Sequence, residues 1–246
     1  MIRFITIAVI LGLYLLLGIP VLGIEWLIGK FSKTTEDYQC LWLVQGAFKL
    51  MLKVAGTDIT VIGEENIPDE PVVFIGNHRS YFDILLTYSR CKRLTGYIAK
   101  KEMLRYPLLR TWMKRLYCLF LDRENPREGL KTILQAIEYM KNGVSICIFP
   151  EGTRNDGEEC SILPFHSGSF KIAEKSGCAI IPMCINNSAE IFENHLPKIR
   201  KASVVIEYGK PIYMKDMTPD ERKKIAGYCQ NIIQETINKN KEIIKR

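Results

Sequence analysis

Several common chemical signatures are missing from this chain. It has no G-x-S-x-G elbow, no phosphate-binding P-loop, no G-x-G-x-x-G and no H-E-x-x-H. The usual serine-hydrolase, nucleotide-binding and zinc-protease readings therefore have nothing to stand on. Histidine is scarce: His78, His166 and His195 lack metal-ligand spacing, so no metal is expected. No basic–aromatic module is present, so nucleic acid is not an expected partner. No internal repeat or low-complexity tract occurs. No C-x-x-C occurs either, and the eight cysteines are scattered, several inside apolar runs. They read as reduced, mostly buried thiols. What remains is a globular composition: 246 residues, 47% hydrophobic and 25% charged, long enough to bury a core without staples. The formal charge of +7, from 34 basic and 27 acidic residues, favours anionic partners without choosing among them.

The N-terminal stretch differs from the rest. Between Phe4 and Ile24 there is no charged side chain. About twenty helical residues, rising about 1.5 Å each, cross a bilayer core. Arg3 precedes the run and Lys30, Lys33, Lys49 and Lys53 follow it, which places the body of the chain at the cytoplasmic side of the cell membrane. A cleaved signal peptide is the rival, weakened by a single basic residue and a poor cleavage site at Val21-x-Gly23. Pro20, with nearby glycines, offers a break into a shallow re-entrant pair. Residues 38–54 mix Trp42, Leu43, Val44, Phe48, Leu50 and Met51 with Lys49 and Lys53. They form either an interfacial amphipathic helix or a helix packed on the following domain. Residues 1–56 thus read as a membrane-anchoring helical segment and residues 57–246 as the folded body.

Within the body, short apolar runs alternate with helical patterns. Strands are expected at Ile59–Ile62, Val72–Ile75, Thr95–Ile98, Cys118–Leu121, Val144–Phe149, Ala179–Ile185 and Ser203–Tyr208. One helix opens at Asn125-Pro126-Arg127-Glu128, with Leu130, Ile133, Leu134, Ile137 and Met140 on its inner face and Gly143 as its stop. The last opens at Thr218-Pro219-Asp220-Glu221, with Ile225, Cys229, Ile232 and Thr236 or Ile237 inward. This alternation implies an α/β fold: a mostly parallel mixed sheet flanked by helices.

Two of these strands empty into polar loops. The run ending at Gly76 leads into Asn77-His78-Arg79-Ser80-Tyr81-Phe82-Asp83. Ser80 fits an N-cap, and Asp83 either closes a capping box or folds back on His78. In the second case the carboxylate holds one ring nitrogen, leaving the other as a base for a hydroxyl. The run ending at Phe149 leads into Pro150-Glu151-Gly152-Thr153-Arg154, a tight turn beside a guanidinium. That is either a solvated turn or an anion site suited to phosphate. The segment from Lys100 to Arg115, carrying Lys101, Arg105, Arg110 and Lys114, reads as a basic surface for anionic lipid or an acidic carrier protein, or as a plain solvated face.

The His78-x-x-x-x-Asp83 pair together with Phe149-Pro150-Glu151-Gly152-Thr153-Arg154 resembles the glycerolipid acyltransferase family, in particular its 1-acyl-sn-glycerol-3-phosphate acyltransferases. Ala99-Lys100-Lys101-Glu102-Met103, Phe120-Leu121-Asp122-Arg123, Leu163-Pro164-Phe165 and Ile181-Pro182-Met183 add to the likeness, which runs from about Gly56 to Pro211. Arg110 and Tyr117 depart from it, standing where glycine is expected, as does His166-Ser167 in place of a basic pair. The resemblance implies an acyltransferase domain over residues 57–246. It implies transfer of an acyl group from acyl-CoA or acyl-acyl carrier protein to the sn-2 hydroxyl of lysophosphatidic acid, at a phospholipid membrane and without a cofactor. His78 and Asp83 would be catalytic. Gly152, Thr153 and Arg154, with Lys100 and Arg123, would bind the phosphate, while Glu151 of the same block shapes the loop. Another lysophospholipid acceptor, or a non-catalytic lipid-binding protein, is the alternative.

Overall fold

The computed structural model describes every residue except Arg123, Glu159, Lys245 and Arg246. In chain order the elements are α1 (Ile2–Gly29), α2 (Lys33–Ala55), β1 (Asp58–Ile62), β2 (Val73–Gly76), α3 (Phe82–Tyr88), β3 (Thr95–Lys100), α4 (Pro107–Arg115), β4 (Leu119–Leu121), α5 (Pro126–Lys141), β5 (Ser145–Ile148), α6 (Lys171–Ser176), β6 (Ile180–Asn186), β7 (Ser203–Tyr208), α7 (Pro219–Lys223) and α8 (Ile225–Ile244). All seven expected strands form, and they join in the order β1-β7-β6-β2-β5-β3-β4. Every neighbouring pair is parallel except β6 with β7. The sheet is therefore mostly parallel, as expected.

Its central strands alternate between two cores. Val72, Phe74, Cys147, Ile181 and Met183 face one core, closed by α2, α3 and α4. Val73, Ile75, Ile146, Ile148 and Ile180 face the other, closed by α5, α6 and α8. Every position of β2 and β5 is buried, and all but Ser145, whose hydroxyl accepts from the Val72 N–H, lack a polar side chain, as burial on both faces requires.

α1 is one helix, with Pro20 inside it, so the alternative of a break at Pro20 does not occur. The chain turns back instead at residues 30–32, where the Ser32 hydroxyl caps α2 by accepting from the Thr35 N–H. Along α1 a stripe of Phe4, Ile7, Tyr14, Val21 and Leu22 packs on the core, while Ile5, Val9, Leu13, Leu16, Leu17 and Leu27 stay exposed. Gly18 permits the close approach, since a Cβ there would meet the Trp112 indole at 2.9 Å. Of the two readings of residues 38–54, burial supports the helix packed on the following domain. Cys40, Leu41, Val44, Met51 and Leu52 are buried against the body, while Tyr38, Trp42 and Leu50 are exposed.

Three expectations need correction. In α5 the buried residues are Thr132, Ala136, Ile137 and Met140, whereas Leu130 and Leu134 are exposed. The helix lies close to the sheet, so small side chains take its centre line and the leucines move to the flank. The final helical stretch divides at Lys224: the capping box at Thr218 and Glu221 starts α7 alone. α8 then buries Ile225, Cys229, Ile233 and Ile237, with Ile233 in the place expected for Ile232. The basic segment is not one basic face. Lys101 pairs with Asp122 at 3.0 Å, and Arg115 turns inward to Glu36 and the Leu22 carbonyl.

Tyr117 has φ +60°, in the left-handed region that favours glycine. This is one of the positions where the resemblance led us to expect glycine. The tyrosine is held there by its hydroxyl, which donates to Asp37 at 2.5 Å.

Candidate active site

The positions of β2 and β5 create the site. They are adjacent and parallel, with Ile75 beside Ile148, so the segments leaving them emerge together at one edge of the sheet. From β2 the chain crosses through α3 to β3. From β5 it crosses through α6, on the opposite face, to β6 on the other side of β2. In an open α/β sheet this reversal is where a crevice forms.

His78 leaves the end of β2 and turns its Nδ1 to Asp83 Oδ2 at 2.8 Å. The same carboxylate oxygen accepts from the Arg79 and Ser80 N–H groups, each at 2.8 Å. Asp83 is fully buried. The capping and pairing readings are thus both true of one atom. Ser80 Oγ accepts from the Phe82 N–H and starts the short helix that places Asp83 there. Two backbone donors hold the aspartate, so the Nδ1–H of His78 is left to donate to it, which assigns the lone pair to Nε2. Among the described residues no protein group hydrogen-bonds Nε2. The ring lies on Phe149, 4.4 Å between centroids and 18° from parallel, and the side chain keeps 17% of its exposure.

The second segment is tied to the first at three points. Glu151 is buried; its Oε1 accepts from the His78 N–H at 2.6 Å and its Oε2 from the Leu163 N–H at 2.8 Å. It shapes the loops and has no oxygen turned to a ligand. Burial pushes its carboxyl above the usual range, against the pull of those N–H groups. Next, the Asn155 N–H donates to the His78 carbonyl at 2.7 Å. Finally, Arg154 lies over the Tyr81 ring, its guanidinium carbon 3.6 Å from the centroid, and donates to the Tyr81 hydroxyl at 3.0 Å. The turn between them closes through the Gly152 N–H and the Phe149 carbonyl at 3.0 Å, with Gly152 at φ +76°. Thr153 is exposed at its tip.

The structure thus brings His78, Asp83, Glu151, Gly152, Thr153 and Arg154 together in two joined loops at one edge of the sheet. Lys100 ends β3, exposed at the same sheet edge, but it is separated from β2 by β5 and bonds to none of these residues. Arg123 falls outside the described residues. Among those described, no group of three or more metal-ligating side chains is assembled.

Other residues in and around these loops had no role in the sequence reading. Asn77 is buried and exchanges two 2.8 Å hydrogen bonds with the Ile185 backbone, extending the β2–β6 ladder by one residue. Arg79, beside the histidine, is structural: its guanidinium donates to the Gly157 and Glu158 carbonyls. Glu193, far along the chain, accepts from Arg154 Nη1 at 3.2 Å and from the Tyr81 N–H at 2.8 Å. No motif marks it, so only the fold reveals it.

A family model described as Acyltransferase matches residues 58–186. A 1-acyl-sn-glycerol-3-phosphate acyltransferase of Borreliella burgdorferi is 31% identical over 204 residues, covering 82% of this chain and 79% of the relative. One of Saccharomyces cerevisiae is 28% identical over 210 residues, covering 85% and 68%. The crystal structure of the 1-acyl-sn-glycerophosphate (LPA) acyltransferase of Thermotoga maritima superposes with a TM-score of 0.83. It is 24% identical and covers 98% of this chain and 95% of that one, a likeness of fold.

Proposed function

The chain belongs to the acyltransferase family, and from that premise we propose that it acylates the sn-2 hydroxyl of 1-acyl-sn-glycerol 3-phosphate to give phosphatidic acid. The relatives' names support this acceptor. The observation that carries the chemistry is the 2.8 Å His78–Asp83 contact with Nε2 left open beside the Arg154 loop.

Nε2 of His78 takes the acceptor's hydroxyl proton as that oxygen attacks the thioester carbonyl. The tetrahedral adduct collapses, the C–S bond breaks, and the imidazolium returns the proton to the leaving thiolate. Asp83 stays ionised throughout. It fixes the tautomer and stabilises the imidazolium. The acceptor supplies the nucleophile, so the reaction needs neither an enzyme nucleophile nor a cofactor. The donor is the thioester of coenzyme A or of acyl carrier protein.

Arg154, with Gly152 and Thr153, binds the acceptor's phosphate, and Lys100 and Arg123 add positive charge. Phosphate held at one loop and the hydroxyl at the next gives catalysis by positioning. The exposed apolar face of α1 lies in the membrane. Because α1 contacts the body near both ends, through Phe4 to Phe192 and Leu22 to Arg115, it enters one leaflet beside the catalytic domain. That domain sits at the cytoplasmic face.

His78→Ala, assayed in mixed micelles with either thioester, is expected to lose about 10²–10⁴-fold in turnover. Near-normal transfer by that variant rejects the assignment.

A further inference from the structure

The guanidinium assigned to the acceptor's phosphate already has an anionic partner. Glu193 Oε1 lies 3.2 Å from Arg154 Nη1 and also accepts from the Tyr81 N–H. Its Oε2 is buried and, among the described residues, without a hydrogen-bond partner. Glu193 is not a loose surface acid drawn to the nearest cation. The preceding Phe192 is wedged between Phe4 of α1, 5.7 Å away, and Phe82 of α3, 6.5 Å away. The carboxylate is therefore delivered to Arg154 by packing.

Two negative groups then address one cation. A phosphate monoester arriving at Arg154 meets the Glu193 carboxylate within the same hydrogen-bonding shell, and like charges at that range oppose each other. The opposition matters because substrate and product carry the same phosphate monoester. A site that bound that group as tightly as possible would hold the product as firmly as the acceptor.

We propose that Glu193 is a positioning residue of the acceptor site, holding Arg154 flat against Tyr81 while its negative charge weakens the hold on the phosphate monoester. This inference rests on Arg154 being the phosphate ligand. Glu193 touches neither the reacting hydroxyl nor the thioester. Its effect belongs in headgroup affinity and product release, not in the chemical step.

The test uses the full chain and soluble glycerol 3-phosphate as a competitive probe. Glu193→Gln keeps an oxygen for Arg154 and for the Tyr81 N–H but removes the charge. It is expected to lower the inhibition constant of glycerol 3-phosphate, and the acceptor KM, by about three- to tenfold. The thioester KM stays unchanged, and product inhibition tightens by a similar factor. The gain is larger for the dianion than for the monoanionic methyl ester of glycerol 3-phosphate, a charge signature that a merely structural role does not produce. In an Arg154→Ala background the effect disappears. Glu193→Asn repeats the measurement if the first variant proves unstable. If Arg154→Ala raises the probe's constant and Glu193→Gln leaves it unmoved or raises it, the inference about Glu193 falls while the phosphate reading stands. If Arg154→Ala itself leaves the constant unchanged, the phosphate reading falls first.

Discussion

Single atoms at this site carry more than one duty. Asp83 Oδ2 serves His78 and two backbone donors at once, so the group that orients the imidazole also organises the loop holding it. The His78–Asp83 spacing was readable, but that one carboxylate oxygen both caps the helix and meets the histidine was not. That double contact depends on the turn at Ser80, which periodicity does not encode. Glu151 shows a second kind of dual role, being a buried acid whose burial raises its carboxyl pKa despite two N–H partners. A carboxyl raised on folding holds its proton more tightly in the native than in the unfolded state. Its contribution to stability is therefore greatest below the ordinary glutamate range. It is lost as pH rises from there through the raised value, and it is flat beyond. Glu151→Gln is expected to remove that part of the slope. Unfolding midpoints of both proteins across a pH series would show it, and parallel profiles would remove the role given to burial.

At the scale of elements, the N-terminal hairpin is joined to the body by charge as well as by apolar contact. Arg115, at the end of α4, meets Glu36 of α2 and the Leu22 carbonyl of α1. Lys33 and Tyr117 hold Asp37 one residue further along α2, at 2.6 and 2.5 Å. Glu36 and Asp37 are both buried. Arg115→Met would leave Glu36 with only Lys33 of its own helix, 3.0 Å away, as a cationic partner, and the expected loss is about 1.5–3 kcal/mol, that of a hydrogen bond to a charged group. Thermal unfolding in detergent measures it, and an unchanged midpoint would show that the latch contributes nothing. In the sequence Arg115 was one of six cations in a short segment. Which of them points inward was set by the packing of α4 against α1 and α2. α5 makes the same point with apolar residues. Leu130, Ile133, Leu134 and Ile137 define a stripe wider than the contact, and the fit to the sheet chose Thr132 and Ala136 as its centre.

For the whole molecule, α1 leaves Ile5, Val9, Leu13, Leu16, Leu17 and Leu27 exposed, and Phe31 and Trp42 of the same hairpin are exposed as well, an apolar display of the kind that marks a binding surface. Leu13→Glu combined with Leu17→Glu is expected to lower partitioning onto phospholipid vesicles by at least about tenfold, since each leucine contributes roughly 1.5–3 kcal/mol on burial. Core packing stays intact because both side chains point away from it. Vesicle binding equal to the unaltered protein would remove α1 from the membrane. The sequence by itself determined the seven strands, the apolar first helix, and the two polar loops with their His78–Asp83 and Glu151–Arg154 blocks. These are local properties, written in hydrophobic period, capping residues and motif spacing. Only the tertiary structure decided the strand order that sets β2 beside β5, the inward turn of Arg115, and the approach of Glu193 to Arg154. Each of those joins residues far apart in the chain, and such contacts follow from how whole faces fit together, which no stretch of sequence records alone.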